Sequence, residues 1–288
     1  MIIMVKHVVA TLIVLSLVAC SAPVPVTQPA PTETSGVPVT LTPTLDHPTA
    51  TAAETGPALE AIVILGPGVD SAVTSPVTVE GQSRPTFEQN LVLAVYGEDG
   101  GLLAQQPTSL DSPAGEPGNY STEVPFEVNS EQPGRVSVYE TSAMDGGIVH
   151  LTSVAVTLRP GIAAEIHPPH LSYESIEIQT PIPMGEISGG IISVSGYSDY
   201  FFESNLGLVL CGGGGSGAPN DLCGTEDNIL ANGNAMIDAP DVGHPGPFSG
   251  ELTYSVSEPT PARIVVFAAS PRDGGLMHVS SIPILLSP

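Results

Sequence analysis

His150 lies in the segment Asp145–Ser153, DGGIVHLTS, and His278 lies in Asp273–Ser281, DGGLMHVSS. An imidazole can act as general base, proton shuttle or metal ligand near neutral pH, so a histidine written twice in one context raises the prospect of a paired site. The local spacing argues against it. Neither histidine is accompanied by a carboxylate or a second histidine in a metal-ligand spacing. Each DGG instead separates two strand-like runs, Arg135–Glu140 from Ile148–Leu158 and Arg263–Ala268 from Leu276–Leu286. Asp-Gly and Gly-Gly permit the positive φ angles of tight hairpins. On this reading the echo is architecture, and His150 and His278 are half-exposed strand residues.

The other chemical candidates are weaker. Gly212, Gly214 and Gly217 spell GxGxxG inside CGGGGSGAPNDLC, Cys211–Cys223. A dinucleotide fingerprint needs a following helix N-terminus to present its amides to phosphate, and APNDLCGTEDN offers turn formers instead. In HPPH, His167–His170, the two prolines favour an extended spacer over a metal site. Asp221, Glu226, Asp227, Asp238 and Asp241 could hold calcium, but without a regular calcium-loop spacing they read as solvated charge. GxSxG, HExxH and CxxC are absent. The expectation is a protein that is not an enzyme, with no catalytic residue, no metal ligand and no cofactor.

Thirty acidic residues stand against six basic ones, a balance that repels phosphate and excludes nucleic acid as partner. Apart from Lys6, the basic residues are Arg84, Arg135, Arg159, Arg263 and Arg272. With 31 Gly, 30 Pro and no Trp, and no long helical period, the chain suits short strands joined by many turns.

The first residues read as an address. A short region carrying Lys6 precedes an apolar stretch, Val8–Ala19, too short for a transmembrane helix of ~20 apolar residues and matching an export signal. Its end, LVAC at Leu17–Cys20, resembles the lipobox of bacterial lipoproteins. The alternative is an ordinary signal peptide or membrane anchor with an incidental cysteine. The resemblance implies cleavage that leaves Cys20 as the first residue, with a diacylglyceryl group on its thiol that binds the membrane. The chains bury methylenes worth ~0.8 kcal/mol apiece. Ser21, where inner-membrane lipoproteins of double-membrane bacteria usually carry Asp, favours an outer-membrane or outer-surface destination. With Cys20 acylated, Cys211 and Cys223 remain, flanking one flexible loop of an exported chain. They are expected to form a disulfide, the alternatives being free thiols or a metal. Between the anchor and the body, Pro, Thr, Ala and Val dominate, giving a disordered or polyproline-like tether that could reach on the order of 100 Å when extended.

From Ile62 onward the chain aligns with itself. SPVTVEGQSRPTFEQNLVLAV (Ser75–Val95) corresponds to GGIISVSGYSDYFFESNLGLVL (Gly189–Leu210), GRVSVY (Gly134–Tyr139) to ARIVVF (Ala262–Phe267), and the two DGG segments to each other. An internal repeat of this length implies duplicated domains. Within each copy about seven segments alternate apolar and polar residues, as in Leu91, Leu93 and Val95 or Val154, Val156 and Leu158, which puts one strand face in a core and leaves the other solvated. The expected fold is all-β, two tandem immunoglobulin-like β-sandwich domains after a disordered Pro/Thr-rich tether. The divisions are 1–19 signal peptide, 20–58 lipid-anchored linker, 59–159 first domain, 160–174 interdomain linker, and 175–288 second domain with the inserted Cys loop.

The order IVILGPG, SPVTVEG, NL, YGEDGGLLA, VPFEV, GRVSVY and DGG resembles the immunoglobulin-like domain of bacterial spore germination proteins (the Gmad family). Copy two departs at its start, with GGIISVSG where copy one has SPVTVEG. The resemblance implies an exported, non-catalytic module, and supplies no binding residues to carry across. The functional expectation is a lipid-anchored, extracytoplasmic envelope protein that binds or spaces a protein or glycan partner at the bacterial surface. The alternative is a hydrolase, or an accessory subunit, acting on cell-wall material.

Overall fold

β-Branched and aromatic residues alternating with polar ones, between Gly, Pro, Asp and Asn turns, form strands that bury one face. The computed structural model describes residues 59–288 except 162, 170–172 and 242. The residues read from sequence as an export signal, lipid-bearing Cys20 and tether fall outside the described residues, as does His170.

Among the described residues the first half contains β1 (Ile62–Gly66), β2 (Ser71–Thr74), β3 (Val77–Ser83) and β4 (Asn90–Tyr96). It continues with β5 (Leu102–Ser109), β6 (Gly118–Val124), β7 (Gln132–Thr141) and β8 (Ile148–Arg159). β1, β3 and β6 form one sheet, and β5, β4, β7 and β8 lie in the other, with β2 parallel to β8. Between them sits a core that includes Val79, Leu93, Val95, Val124, Val136 and Leu158. In β3 every second residue from Val77 to Ser83 is buried, as the period-two pattern requires.

The second half begins with β9 (Ile176–Thr180), β10 (Glu186–Ile187), β11 (Ile191–Ser198) and β12 (Asn205–Cys211). Inside the inserted loop β13 (Pro219–Asn220) and β14 (Gly224–Thr225) make a two-strand hairpin. β15 (Ile229–Ile237), β16 (Gly246–Thr253), β17 (Thr260–Ala269) and β18 (Leu276–Leu286) complete it. The strand order is β9-β11-β16-β15-β12-β17-β18, with β10 parallel to β18. A second core, including Val194, Leu206, Leu208, Leu210, Ile264 and Leu286, fills this half. The protein is thus all-β and sandwich-like, as expected, with a separate core in each half.

The halves are joined by structure as well as by chain. β8 and β18 pair antiparallel at Leu151 and Val279, which unites strands of both halves in one thirteen-strand sheet. A third apolar cluster there contains Ile148, Leu151, Val209, Val265, Val279 and the Cys211–Cys223 pair. Those cysteines form the expected disulfide, with Cα atoms 5.3 Å apart. After the glycines of the inserted loop come the β13–β14 hairpin and a single 3-10 turn, Glu226–Asn228, rather than an α-helix. The interdomain linker departs from a free spacer: Glu165 and Ala72 exchange both backbone hydrogen bonds at 2.8 Å, and the His167 N–H donates to Ser71 Oγ. An extended segment beside the sheet-edge strand β2 satisfies its own amides by pairing.

Gly196 in β11 marks where the sheet backbone packs too closely for a side chain. A Cβ there would lie 1.9 Å from the Glu177 carbonyl oxygen and 2.8 Å from the Phe248 ring. Overpacking of this kind costs ~1–3 kcal/mol. Gly196→Ala should therefore lower the unfolding free energy by that amount in urea titrations followed by circular dichroism. An unchanged midpoint would show that β9 and β11 are not in this register.

Candidate functional site

The centre strands of the two halves carry the junction. β7 buries five consecutive residues, Gly134–Val138, and β17 buries Ala262–Val266. Val136, Val138, Ile264 and Val266 face their own cores. The alternate positions, Arg135, Ser137, Arg263 and Val265, were expected to be solvated, yet all are buried. The reason is tertiary: the other half covers the second face of the strand.

Burying two guanidinium groups is costly unless each meets an acid, and here each half supplies the acid for the other. Arg135 Nη1 lies 3.4 Å from Asp273 Oδ2, and Arg263 Nη2 lies 3.0 Å from Asp145 Oδ2, with side chains no more than 6% exposed. The aspartates are those of the two DGG segments. In each segment the aspartate folds its own turn, since Gly147 N–H donates to Asp145 Oδ1 and Gly275 N–H to Asp273 Oδ1, both at 2.9 Å. Such Asx turns are why aspartate suits the position. Glycine at the third residue leaves room for these approaches: a Cβ would fall 2.2 Å from the Leu222 carbonyl oxygen and 2.8 Å from Arg263 Nη2 at Gly147, and 2.2 Å from Arg135 Nη2 at Gly275. The reciprocity continues with Ser153 Oγ–H donating to the Met277 carbonyl at 2.6 Å and Ser281 Oγ–H to the Val149 carbonyl at 2.7 Å. The inserted loop adds contacts from the second half alone. The Asp221 carbonyl accepts from Ile148 N–H, and the Leu222 carbonyl accepts from Arg263.

His150 and His278 also meet here, which corrects the expectation of half-exposed strand residues: they are 7% and 3% exposed. Their rings lie edge to face with centroids 5.1 Å apart. Two carboxylates join them, Glu60 and Glu174, each two residues before the first strand of its half. His150 Nε2 is 2.6 Å from Glu60 Oε1, and His278 Nε2 is 3.1 Å from Glu174 Oε1. His150 Nδ1 lies 3.8 Å from that same Glu174 oxygen. The second oxygen of each glutamate is anchored across the junction, Glu174 Oε2 by Ala61 N–H and Glu60 Oε2 by Ser175 N–H. Backbone pairing of Leu59 with Tyr173 holds the two lead-in segments side by side. One donor atom from each of Glu60, His150, Glu174 and His278 lies within 4.8 Å of all the others.

The electrostatics follow from this enclosure. Burial alone would push the His278 imidazole down, but the facing carboxylates of Glu60 and Glu174 outweigh it and hold the ring above its usual value. Burial likewise raises Glu174, and the bond from His278 with the charge of both rings brings it below the ordinary carboxylate value. Cavities of about 150 Å³ and 320 Å³ flank the cluster, the first lined by Glu60 and His278, the second by His150 and Glu174.

The acidic residues around the inserted loop take no part in this group. Sequence reasoning missed Glu60, Glu174, Arg135, Arg263, Asp145 and Asp273 as functional positions. A signal for some of them was present. Two of five arginines occupy aligned places inside apolar strands, and LEAI at Leu59–Ile62 answers YESI at Tyr173–Ile176, just before the point where the alignment began.

An all-β chain of immunoglobulin-like sandwich character is the class that this fold defines. Residues 61–147 match a family described as the immunoglobulin-like domain of bacterial spore germination. No curated protein matches the chain. Among solved structures, dimeric latent PorU from Porphyromonas gingivalis is similar at 12% identity, over 80% of this chain and 24% of that one, with a TM-score of 0.23. A chimeric titin Z1Z2 tandem matches at 12% identity over 78% of this chain and 98% of its own, TM-score 0.19. The collagen adhesin of S. aureus matches at 7% identity over 81% and 96%, TM-score 0.17. The chain spans about a quarter of the PorU chain that it matches.

Asp273 gives the junction a pH signature. Burial would raise its carboxyl, but the Gly275 N–H, Ser270, Arg135 and Arg272 bring it to about 2. A depressed carboxylate stabilises the fold above its unfolded value of ~3.9, and that contribution disappears as pH falls toward the folded value. The stability of the wild type should therefore drop between pH ~4 and ~2, whereas Asp273→Asn should show a flatter profile in that window. At pH 7 the variant, with Arg135 left unanswered, should be ~3–5 kcal/mol less stable. Parallel pH profiles for the two proteins would contradict the assignment.

Proposed function

We propose that this is a lipid-anchored envelope protein whose two immunoglobulin-like domains, the second a divergent copy of the first, are docked as one rigid body. In this reading the body stands at the end of a Pro/Thr-rich tether and binds or spaces a protein or glycan at the bacterial surface, without catalysis. The observation that carries it is the reciprocal junction, in which each half neutralises the buried arginine of the other. A swivelling pair of beads would not need such contacts, whereas a surface presented at fixed geometry does. The disulfide supports an oxidising, extracytoplasmic compartment. Exposed Tyr197 near the end of β11, with Tyr200 and Phe202 in the turn after it, offers the kind of aromatic patch that partners engage.

The rival reading, a cell-wall hydrolase or its accessory subunit, would draw on the histidine–glutamate cluster. Those four side chains are at most 8% exposed, which favours a structural role over contact with a polymeric substrate. Turnover of cell-wall material by the purified chain would reverse that preference.

Lipid anchoring is tested in living cells by metabolic labelling with palmitate and membrane fractionation. The wild type should carry label and sediment with membranes, and Cys20→Ser should lose the label. A Cys20→Ser chain that remains labelled would contradict the anchor.

A further inference from the structure

We propose that Glu60, His150, Glu174 and His278 form a binding site for one divalent first-row metal ion, of the Zn²⁺ class, that pins the two halves together. This goes beyond the surface-module reading and does not depend on it.

Three observations carry the assignment. The first is donor chemistry. Two imidazoles and two carboxylates are an N/O set suited to borderline ions such as Zn²⁺. The second is convergence. The four donor atoms lie within 4.8 Å of one another, while tetrahedral Zn²⁺ at ~2.0–2.1 Å from each donor needs edges of roughly 3.4 Å. Closing that gap asks about an ångström or less of each side chain, and the flanking cavities of about 150 and 320 Å³ give room to move and a path for entry. The third is orientation. Each glutamate spends one oxygen on a backbone N–H of the opposite lead-in segment, Ala61 or Ser175, so its other oxygen is directed at a ring nitrogen. Outer contacts of this kind fix the direction of metal ligands.

Charge balance points the same way. With the ion in place the two carboxylates are ionised and the two rings neutral, a set of charge minus two that a divalent cation cancels, as protons on the rings would do without it. Without the ion, the short His150–Glu60 and His278–Glu174 bonds close the cluster, and the ion displaces the shared protons when it binds. Because each half contributes one histidine and one glutamate, the ion would add its affinity to the cohesion of the junction rather than to either half alone.

The full chain, stripped with a chelator and then freed of it, is titrated with ZnCl₂ and separately with CoCl₂. The expected result is one tightly held ion per chain, a higher Tm with either metal, and a cobalt absorption spectrum of low-symmetry nitrogen and oxygen coordination. His278→Gln and Glu60→Gln should each weaken uptake at least ~10-fold. Equal uptake by the wild type and by the two variants would place the metal on other residues and overturn the proposal. So would an unchanged Tm with no stoichiometric uptake, which would leave the cluster a network of protons alone. Should the variants fail to fold, the cobalt spectrum of the wild type decides: absent nitrogen and oxygen ligand-field bands overturn the proposal, and bands matching that set uphold it.

Discussion

Charge removed from water must be met by opposite charge, and for both buried arginines of this protein the partner lies in the other half. Arg135 sits on β7 of the first half but pairs with Asp273 of the second, and Arg263 on β17 pairs with Asp145 of the first. A buried pair of this kind adds little net stability over apolar residues of the same size, yet losing one member is severe. Its effect is therefore on specificity. Any docking other than the observed one strands two guanidinium groups and two carboxylates, so the junction has one register. The turns that carry the aspartates, the glycines that let the guanidinium groups approach, and the serines that cross to Met277 and Val149 all follow from that requirement.

Around these polar contacts the apolar cluster supplies the attraction. Leu151 and Val279 meet where β8 crosses β18, and Val209, Val265 and Ile148 pack beside them. Burying side chains of this size contributes ~1.5–3 kcal/mol each, with no preference for direction, so the ion pairs and the histidine–glutamate cluster select the geometry. The Cys211–Cys223 disulfide belongs to the same place. Both of its cysteines are fully buried in the junction cluster, and the loop they close lays the Asp221 and Leu222 carbonyls against Ile148 and Arg263. The insertion in the second half is thus a brace for the junction.

Much of the fold was legible because the period-two alternation of residues such as Val77, Val79, Leu91 and Leu93 reports directly on which face is buried. The disulfide was legible from cysteine arithmetic and compartment. The hairpin role of both DGG segments was legible from turn chemistry. What the chain hid was the second face of β7 and β17. An arginine at the polar phase of an alternating strand, as in GRVSVY, reads as a solvated position when only one sheet face has a known cover, and the cover came from the other half of the chain. The histidine cluster was hidden for the same reason. Glu60 is 90 residues from His150 and Glu174 is 104 from His278, so no local spacing could announce it. The aligned lead-in segments LEAI and YESI were the available clue, and they acquire meaning only once the halves are docked.

The central claim is that these contacts make the two halves one cooperative body. Differential scanning calorimetry of the full chain tests it most directly. The account predicts a single transition whose van't Hoff enthalpy equals the calorimetric enthalpy. Two resolved transitions, each with a van't Hoff enthalpy matching half of the total heat, would contradict it.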